Sequence, residues 1–351
     1  MPLLTTTIGA YPKPDEVPVL DWFRDREGPD STNPTEHYLK ALAEMGDEAE
    51  AIFAAGARQV IEDQVAAGID IPTDGEVRRE NYIHYHCRHL DGIDFARLTE
   101  KEVRGGTYTT KLPTWTGPAR ARAPFLPHDW RVAQACTDRP VKVTMPGPMT
   151  IADTTADAHY GDPKRQGADL ADALNAEIRA LAEAGCRHIQ IDEPVFARKP
   201  EAALDYGIAH LERCFDGAPD SVVRTMHMCC GYPDRLDNPD YPKARREAYF
   251  ELADAVDRSS VDAVSLEDAH RHNDLTLLER FTNTTVILGV VAVAKSALEP
   301  VEDIAARLNQ ALEHIDADRL IAAPDCGLGL FSRDLARQKL GHLSTAARAV
   351  G

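Results

Sequence analysis

The sequence predicts an α/β fold, a (β/α)8 TIM barrel with long βα-loop insertions, on three observations. Eight short β-branched or apolar runs recur along 351 residues, helix-like segments separate most of them, and reactive side chains collect where the runs end. The runs read LLTTTIGA, IDIPTDGE, VKVTMPGP, RHIQIDEP, VVRTMHMCC, VDAVSLED, TVILGVVAV and RLIAAPDCG. Each is closed by polar or Gly/Pro punctuation, and their composition suits strands buried on both faces. Residues 46–67, 168–185, 247–257 and 300–315 keep apolar positions at three- and four-residue spacing, as a helix with one buried stripe requires. Residues 333–350 read as the closing helix. A doubly wound open sheet uses the same alternation and is the structural alternative.

Two stretches depart from the alternation. Residues 13–45 are a polar, Pro-containing excursion after the first strand, and residues 81–135 a longer one after the second. With no low-complexity linker and no repeat, 1–351 reads as one barrel domain carrying both as insertions.

A formal net charge of −18 excludes a nucleic-acid or anionic-membrane partner, since either would be repelled. The start, MPLLTTTIGAYPKPDE, lacks a basic head and apolar run, and no apolar stretch approaches the roughly 20 residues that span a bilayer. Seven cysteines form an odd, scattered set, unlike a disulfide framework. The expectation is a soluble, reduced, cytoplasmic protein whose oligomeric state, homo-oligomer included, stays open.

In a barrel the loops after the strands converge on one mouth, so chemistry gathers at strand ends. Here the second strand ends in Asp74 and Glu76, the fourth in Asp192 and Glu193, the fifth in His227, Cys229 and Cys230, the sixth in Glu267 and Asp268, and the eighth in Asp325 and Cys326. His227 and Cys229 lie two apart on a strand and point to one side. With Cys326 and Glu267 from other strand ends they make a set that suits zinc, the carboxylate being the labile fourth ligand. Glu267 can then yield its place to a substrate thiol, which zinc holds as thiolate at neutral pH. Cys230 points away from Cys229 and reads as a buried small residue.

The motifs TTTIGAYP, TDGE, IQIDEP, HMC, SLE and PDCGL, in that order, resemble those of cobalamin-independent methionine synthase, in its catalytic C-terminal barrel. The resemblance covers nearly the whole chain. It implies His227, Cys229, Glu267 and Cys326 as zinc ligands, and an amino-acid pocket at Ile8, Gly9, Glu76 and Asp192. The residues agree, because two carboxylates neutralise an ammonium and backbone N–H groups near Gly9 suit a carboxylate. Homocysteine carries both groups and a thiol.

The chain also departs from that family. Ala10 stands where the synthase has a serine, and Thr154 or a neighbour where it has a tryptophan platform for folate. Arg198 replaces a pterin-binding glutamate, and Lys295 stands near the proton-donating histidine, which makes it the candidate acid for the leaving group. The spacing from Cys229 to Glu267 is longer, holding YPDRLDNPDYPKARREAYF. The expected activity is a zinc-dependent S-methyltransferase acting on a small thiol, with folate or a corrinoid protein as methyl donor. Zinc-thiolate chemistry of the epoxyalkane–coenzyme M transferase type on a non-methyl electrophile is the alternative. A non-catalytic, zinc-stabilised barrel is a third reading, and the open ligand set argues against it.

Other candidates are weaker. His84 and His86, in NYIHYHC, would share a strand face and so could take a second metal, or serve a substrate lid. His270 and His272 follow Glu267, where Asp268 or Asn273 would cap a helix. Tyr108 and Trp115 would line a donor pocket or merely cover the barrel mouth.

Overall fold

The computed structural model describes residues 2–19, 21, 33–103, 108–238 and 241–350, with side chains omitted at 33–36 and 108. The expected runs appear as parallel strands β1 (Leu4–Thr5), β4 (Lys142–Pro146), β6 (His188–Asp192), β7 (Val223–Met228), β8 (Ala263–Glu267), β9 (Thr285–Val291) and β10 (Leu320–Pro324). They form one curled sheet in the order β1-β10-β9-β8-β7-β6-β4. Every residue of β4 and of β8 is buried, as strands walled by helices on one side and a barrel core on the other must be.

The second predicted strand is the weak one. Residues 71–73 join the two open edges of the sheet through single parallel bridges, Thr6 to Ile71 and Thr73 to Lys142. Pro72 has no N–H to give a ladder. Its neighbours are supported from the helix Ala49–Ala66 instead: the fully buried Gln64 donates to Thr73 O at 2.8 Å and accepts from Thr73 N at 3.1 Å. The ring is closed, with one polar seam.

The helices fall where periodicity put them, at Ala49–Ala66, Pro163–Ala184, Ala248–Asp257, Val301–Ala311 and Arg333–Ala349. Pro163–Ala184 begins earlier than expected because the Asp162 side chain accepts from Lys164 N at 2.9 Å and Pro163 suits the first helical turn. No helix of the described residues is long and apolar enough to cross a membrane.

The insertions hold more order than loops. Within 13–45 lies a helix, Asn33–Met45; residues 20 and 22–32 fall outside those described. Within 81–135 the helix Tyr82–Cys87 is followed by an antiparallel hairpin of β2 (Leu90–Val103) and β3 (Tyr108–Ala121), then by the helix Leu126–Gln134. A short β5 (Ala156–Asp157) pairs with β3.

Two expectations are corrected here. Asn81 Oδ1 accepts from Ile83 N and His84 N, so the histidine stretch starts a helix and not a strand, and His84 and His86 diverge. Trp115 is fully buried with its indole N–H on Thr155 Oγ1 at 2.9 Å, so it anchors the hairpin and does not line a cavity. The Tyr108 side chain is not among those described.

Candidate active site

Parallel register sets the metal candidates. His227, the penultimate residue of β7, lies opposite Ser265 of β8, and Cys229 is the first residue past the strand. Cys326 sits in the loop after β10. Ligand atoms of His227, Cys229 and Cys326 all lie within 4.8 Å of one another, the one such His/Cys/Asp/Glu group among the described residues. Cys326 Sγ is 3.5 Å from His227 Nε2. His227 Nδ1 lies 3.0 Å from Ser265 Oγ, a contact that turns Nε2 toward the thiols.

The Cys229 thiol is held well below its ordinary range, first by the hydrogen bond from Cys326 and then by His227. The same bond pushes the Cys326 thiol up. A buried thiolate beside a thiol and an imidazole is a ready soft ligand set.

The fourth candidate behaves differently. Glu267 ends β8, but its Oε1 forms an ion pair with Lys243 and its Oε2 accepts the Cys230 N–H at 3.1 Å. Cys230 is buried and, like Cys229, a free thiol, with its pKa pushed to about 11 by burial.

Next to the cluster lie two carboxylates. Glu76 sits on a TDGE turn in which both Gly75 (φ 68°) and Glu76 (φ 58°) are left-handed, a conformation that costs a non-glycine residue about 1–3 kcal/mol. That turn aims the carboxylate inward, where Thr144 Oγ1 donates at 2.9 Å and Arg79 at 3.2 Å. A Cβ on Gly9 would stand 2.8 Å from Glu76 Oε1, so a larger residue there would displace that carboxylate. Asp192 ends β6 and accepts from Gln190 Nε2 at 2.7 Å; the same Nε2 also donates to Ile8 O at 2.7 Å. Burial pushes Glu76 to about 7, against the pull of the Arg79 guanidinium, and Asp192 to about 6.

Ile8, Gly9, Glu76, Asp192, His227, Cys229 and Cys326 all face one cavity of ≈ 160 Å³. Its opposite wall comes from the insertion: Tyr82, Ile83 and His84 of the short helix, then Val103, Thr110 and Leu112 of the hairpin. Thr150, Thr154 and Arg198 complete that side, with Arg198 3.7 Å from Asp153.

Not every expected residue arrives. Lys295 is exposed in the turn after β9 and is outside the cavity lining, because the chain has left the barrel mouth by then. His270 Nε2 accepts Ala294 N–H at 2.9 Å and so braces that turn, while His272 is exposed. Asp274, not Asp268 or Asn273, caps the following 3-10 helix. Arg79, Tyr82 and Tyr232 line the cavity without having been anticipated. For Arg79 a signal was present, a charge three residues after Glu76 in GEVRRE.

Fold and site together define a class: a barrel enzyme with a thiol-rich cluster and a paired-carboxylate pocket in one cavity, a methyltransferase. The chain belongs to the family of the catalytic domain of the cobalamin-independent synthase, whose model matches residues 3–349. It is 29% identical to the methionine synthase of Saccharolobus solfataricus, covering 100% of this chain and 96% of that protein. It is 30% identical to the methionine synthase of Thermococcus kodakarensis, covering 98% and 92%. Its fold matches a B12-independent methionine synthase from Shewanella sp. W3-18-1, solved with selenomethionine, at TM-score 0.85 and 30% identity over 99% of this chain and 98% of that one.

Proposed function

We propose that the protein transfers a methyl group to the sulfur of homocysteine, with zinc held by His227, Cys229 and Cys326. The observation that carries this reading is one cavity shared by that cluster and by Glu76 and Asp192. The donor set fits zinc: one imidazole oriented through its far nitrogen and two thiols, one already favoured as thiolate. When bound there, zinc supplies the Lewis acidity that keeps a substrate thiol ionised near neutral pH.

The chain does the rest. Asp192 and Glu76 take the substrate ammonium, whose charge adds to that of Arg79 beside Glu76 and favours both ionised forms. Arg79 and Thr144 fix the Glu76 carboxylate, and Ser265 fixes the His227 ring. Val103, Thr110 and Leu112 cover the cavity and keep water from the thiolate. The relatives' name favours a folate-type donor. A corrinoid protein donor, a non-methyl electrophile and a homo-oligomer draw no support from these relatives. Lys295 is given no part in proton transfer.

The test is methionine formation from homocysteine and methyl-folate by purified protein, alongside metal analysis. About one zinc per chain is expected, with activity lost on chelation and regained with zinc. A fully active metal-free protein overturns the proposal.

A further inference from the structure

The two halves of the amino-acid pocket come from distant parts of the chain: Ile8 and Gly9 lie shortly past β1, and Asp192 ends β6. The segment at Ile8 has already left its strand. β1 ends at Thr5, and further on each carbonyl is secured singly: Ile8 O by Gln190 Nε2 at 2.7 Å, Gly9 O by Thr73 Oγ1 at 2.8 Å and Ala10 O by Leu328 N at 2.7 Å. The N–H groups of the same three residues find no acceptor among the described residues, and all three residues line the cavity.

Gln190 stands two residues before Asp192 on β6, so its side chain takes the same face of the strand one layer deeper. It is fully buried. Its Nε2 donates to Asp192 Oδ1 and to Ile8 O, each at 2.7 Å, so one nitrogen keeps the two oxygens within about twice that distance of each other. Both partners are acceptor oxygens, which forces the nitrogen end of the amide toward them. Its Oε1 has no hydrogen-bond partner among the described residues, so the amide does not complete a core network; an apolar side chain would leave no such oxygen buried. In the neighbouring strand Thr144 is the register partner of Gln190, and it holds Glu76. One row of the barrel interior thus supports both carboxylates, and Gln190 also reaches the backbone at Ile8.

We propose that Gln190 is a positioning residue that sets the span between the ammonium acceptor Asp192 and the carboxylate-holding backbone at Ile8 and Gly9, and so restricts the thiol substrate to an α-amino acid. This deepens the homocysteine reading above and rests on it.

A fork of N–H donors across two oxygens could also come from arginine. That would bring a positive charge beneath the place where the substrate ammonium must sit, and would neutralise Asp192 before the substrate arrives. An amide gives the fork without the charge. A substrate with both an ammonium and a carboxylate meets two anchors at once, so an error in their separation costs affinity. A thiol with one charged end follows whichever anchor has moved.

The experiment is calorimetric binding of homocysteine and of 4-sulfanylbutanoate, which lacks the ammonium, to the zinc-loaded full chain of wild type, Gln190→Met and Gln190→Asn. Methionine matches the length of glutamine without its N–H groups. Asparagine keeps an amide in the interior but is one methylene too short to reach both oxygens, and it serves if methionine disturbs folding. In either variant homocysteine weakens by about tenfold or more, the scale of a lost hydrogen bond to a charged group, while 4-sulfanylbutanoate stays within about twofold. In turnover the change falls on the KM for homocysteine, with kcat within about threefold and zinc content unchanged. Two results overturn the inference. One is homocysteine binding within about twofold of wild type in both variants. The other is both thiols weakened by the same factor, which makes Gln190 a support of the fold and not of the span. A wild type that binds homocysteine no more tightly than 4-sulfanylbutanoate overturns the homocysteine reading itself, and this inference with it.

Discussion

The two walls of the cavity are made by different means. One wall is barrel: Gly9, Glu76, Asp192, His227 and Cys326 stand at or just past successive strand ends, their spacing set by parallel register. The other is insertion: a capped helical turn and a hairpin present Ile83, Val103 and Leu112, with Arg198 at the edge. The barrel wall is polar and buried, and on the proposed reading it receives an amino acid with a thiol. The insertion wall mixes apolar side chains (Ile83, Val103, Leu112) with uncharged polar ones, and on the proposed reading it faces the methyl donor. On the proposed reading, the difference teaches that the residues for binding the thiol belong to the barrel itself, while those facing the methyl donor belong to inserted segments.

Breaking the barrel wall should have the largest effect. Cys326→Ser is expected to lose zinc and to drop kcat/KM by more than the ~10–100-fold typical of losing a group that merely supports a ligand. Metal analysis with kinetics checks this, and an active, zinc-replete variant denies that Cys326 is a ligand. Asp192→Asn should raise the KM for homocysteine by roughly 10²-fold, about what an unpaired buried charge costs, while zinc content stays unchanged. Ser265→Ala frees the His227 ring and should weaken zinc about tenfold by chelator competition.

On the insertion wall, Leu112→Ala should change the KM for the donor by several-fold, about 1 kcal/mol for the lost apolar contact, and leave the Kd for homocysteine alone. If homocysteine binding moves instead, the two walls are not separate in function.

The acid limb supplies the subtlest test. Glu76 is raised from an ordinary 4.5 to about 7, and Asp192 from 3.8 to about 6, both by burial. Since the ammonium needs ionised partners, the KM for homocysteine should rise as pH falls through about 7 and then 6. Stability runs the other way. A raised carboxyl pKa stabilises the fold fully below the ordinary value, and that contribution is lost as pH rises through about 7. Thermal melting of the protein without homocysteine should therefore show the Glu76 contribution declining between pH 4.5 and 7. Added homocysteine should stabilise most at the upper end.

Most of the barrel wall was legible because strands buried on both faces announce themselves as unbroken apolar runs with polar ends. His227, Cys229 and Cys326 came together on that logic alone. Glu267 shares the strand-end signal, yet its partner comes from a lysine no spacing rule points to. The insertion was harder to read. The Asn81 cap is one side chain on two N–H groups, and alternating histidines in YIHYHC imitate a strand. Trp115 was misplaced because an aromatic in a polar stretch gives no sign of which face it takes. Lys295 was placed by sequence position, and the turn after β9 had already carried it to the surface.

The seam at 71–73 has a consequence for how the barrel breathes. Elsewhere each barrel strand is held by a ladder, but this one hangs on a bridge to either side and on the Gln64 amide. Native-state hydrogen exchange of the barrel should begin at Ile71 and Thr73, well before β8 or β9 lets go. The strand expected to loosen first is the one whose turn carries Glu76, so the pocket proposed for the ammonium stands on the least firmly laddered part of the ring.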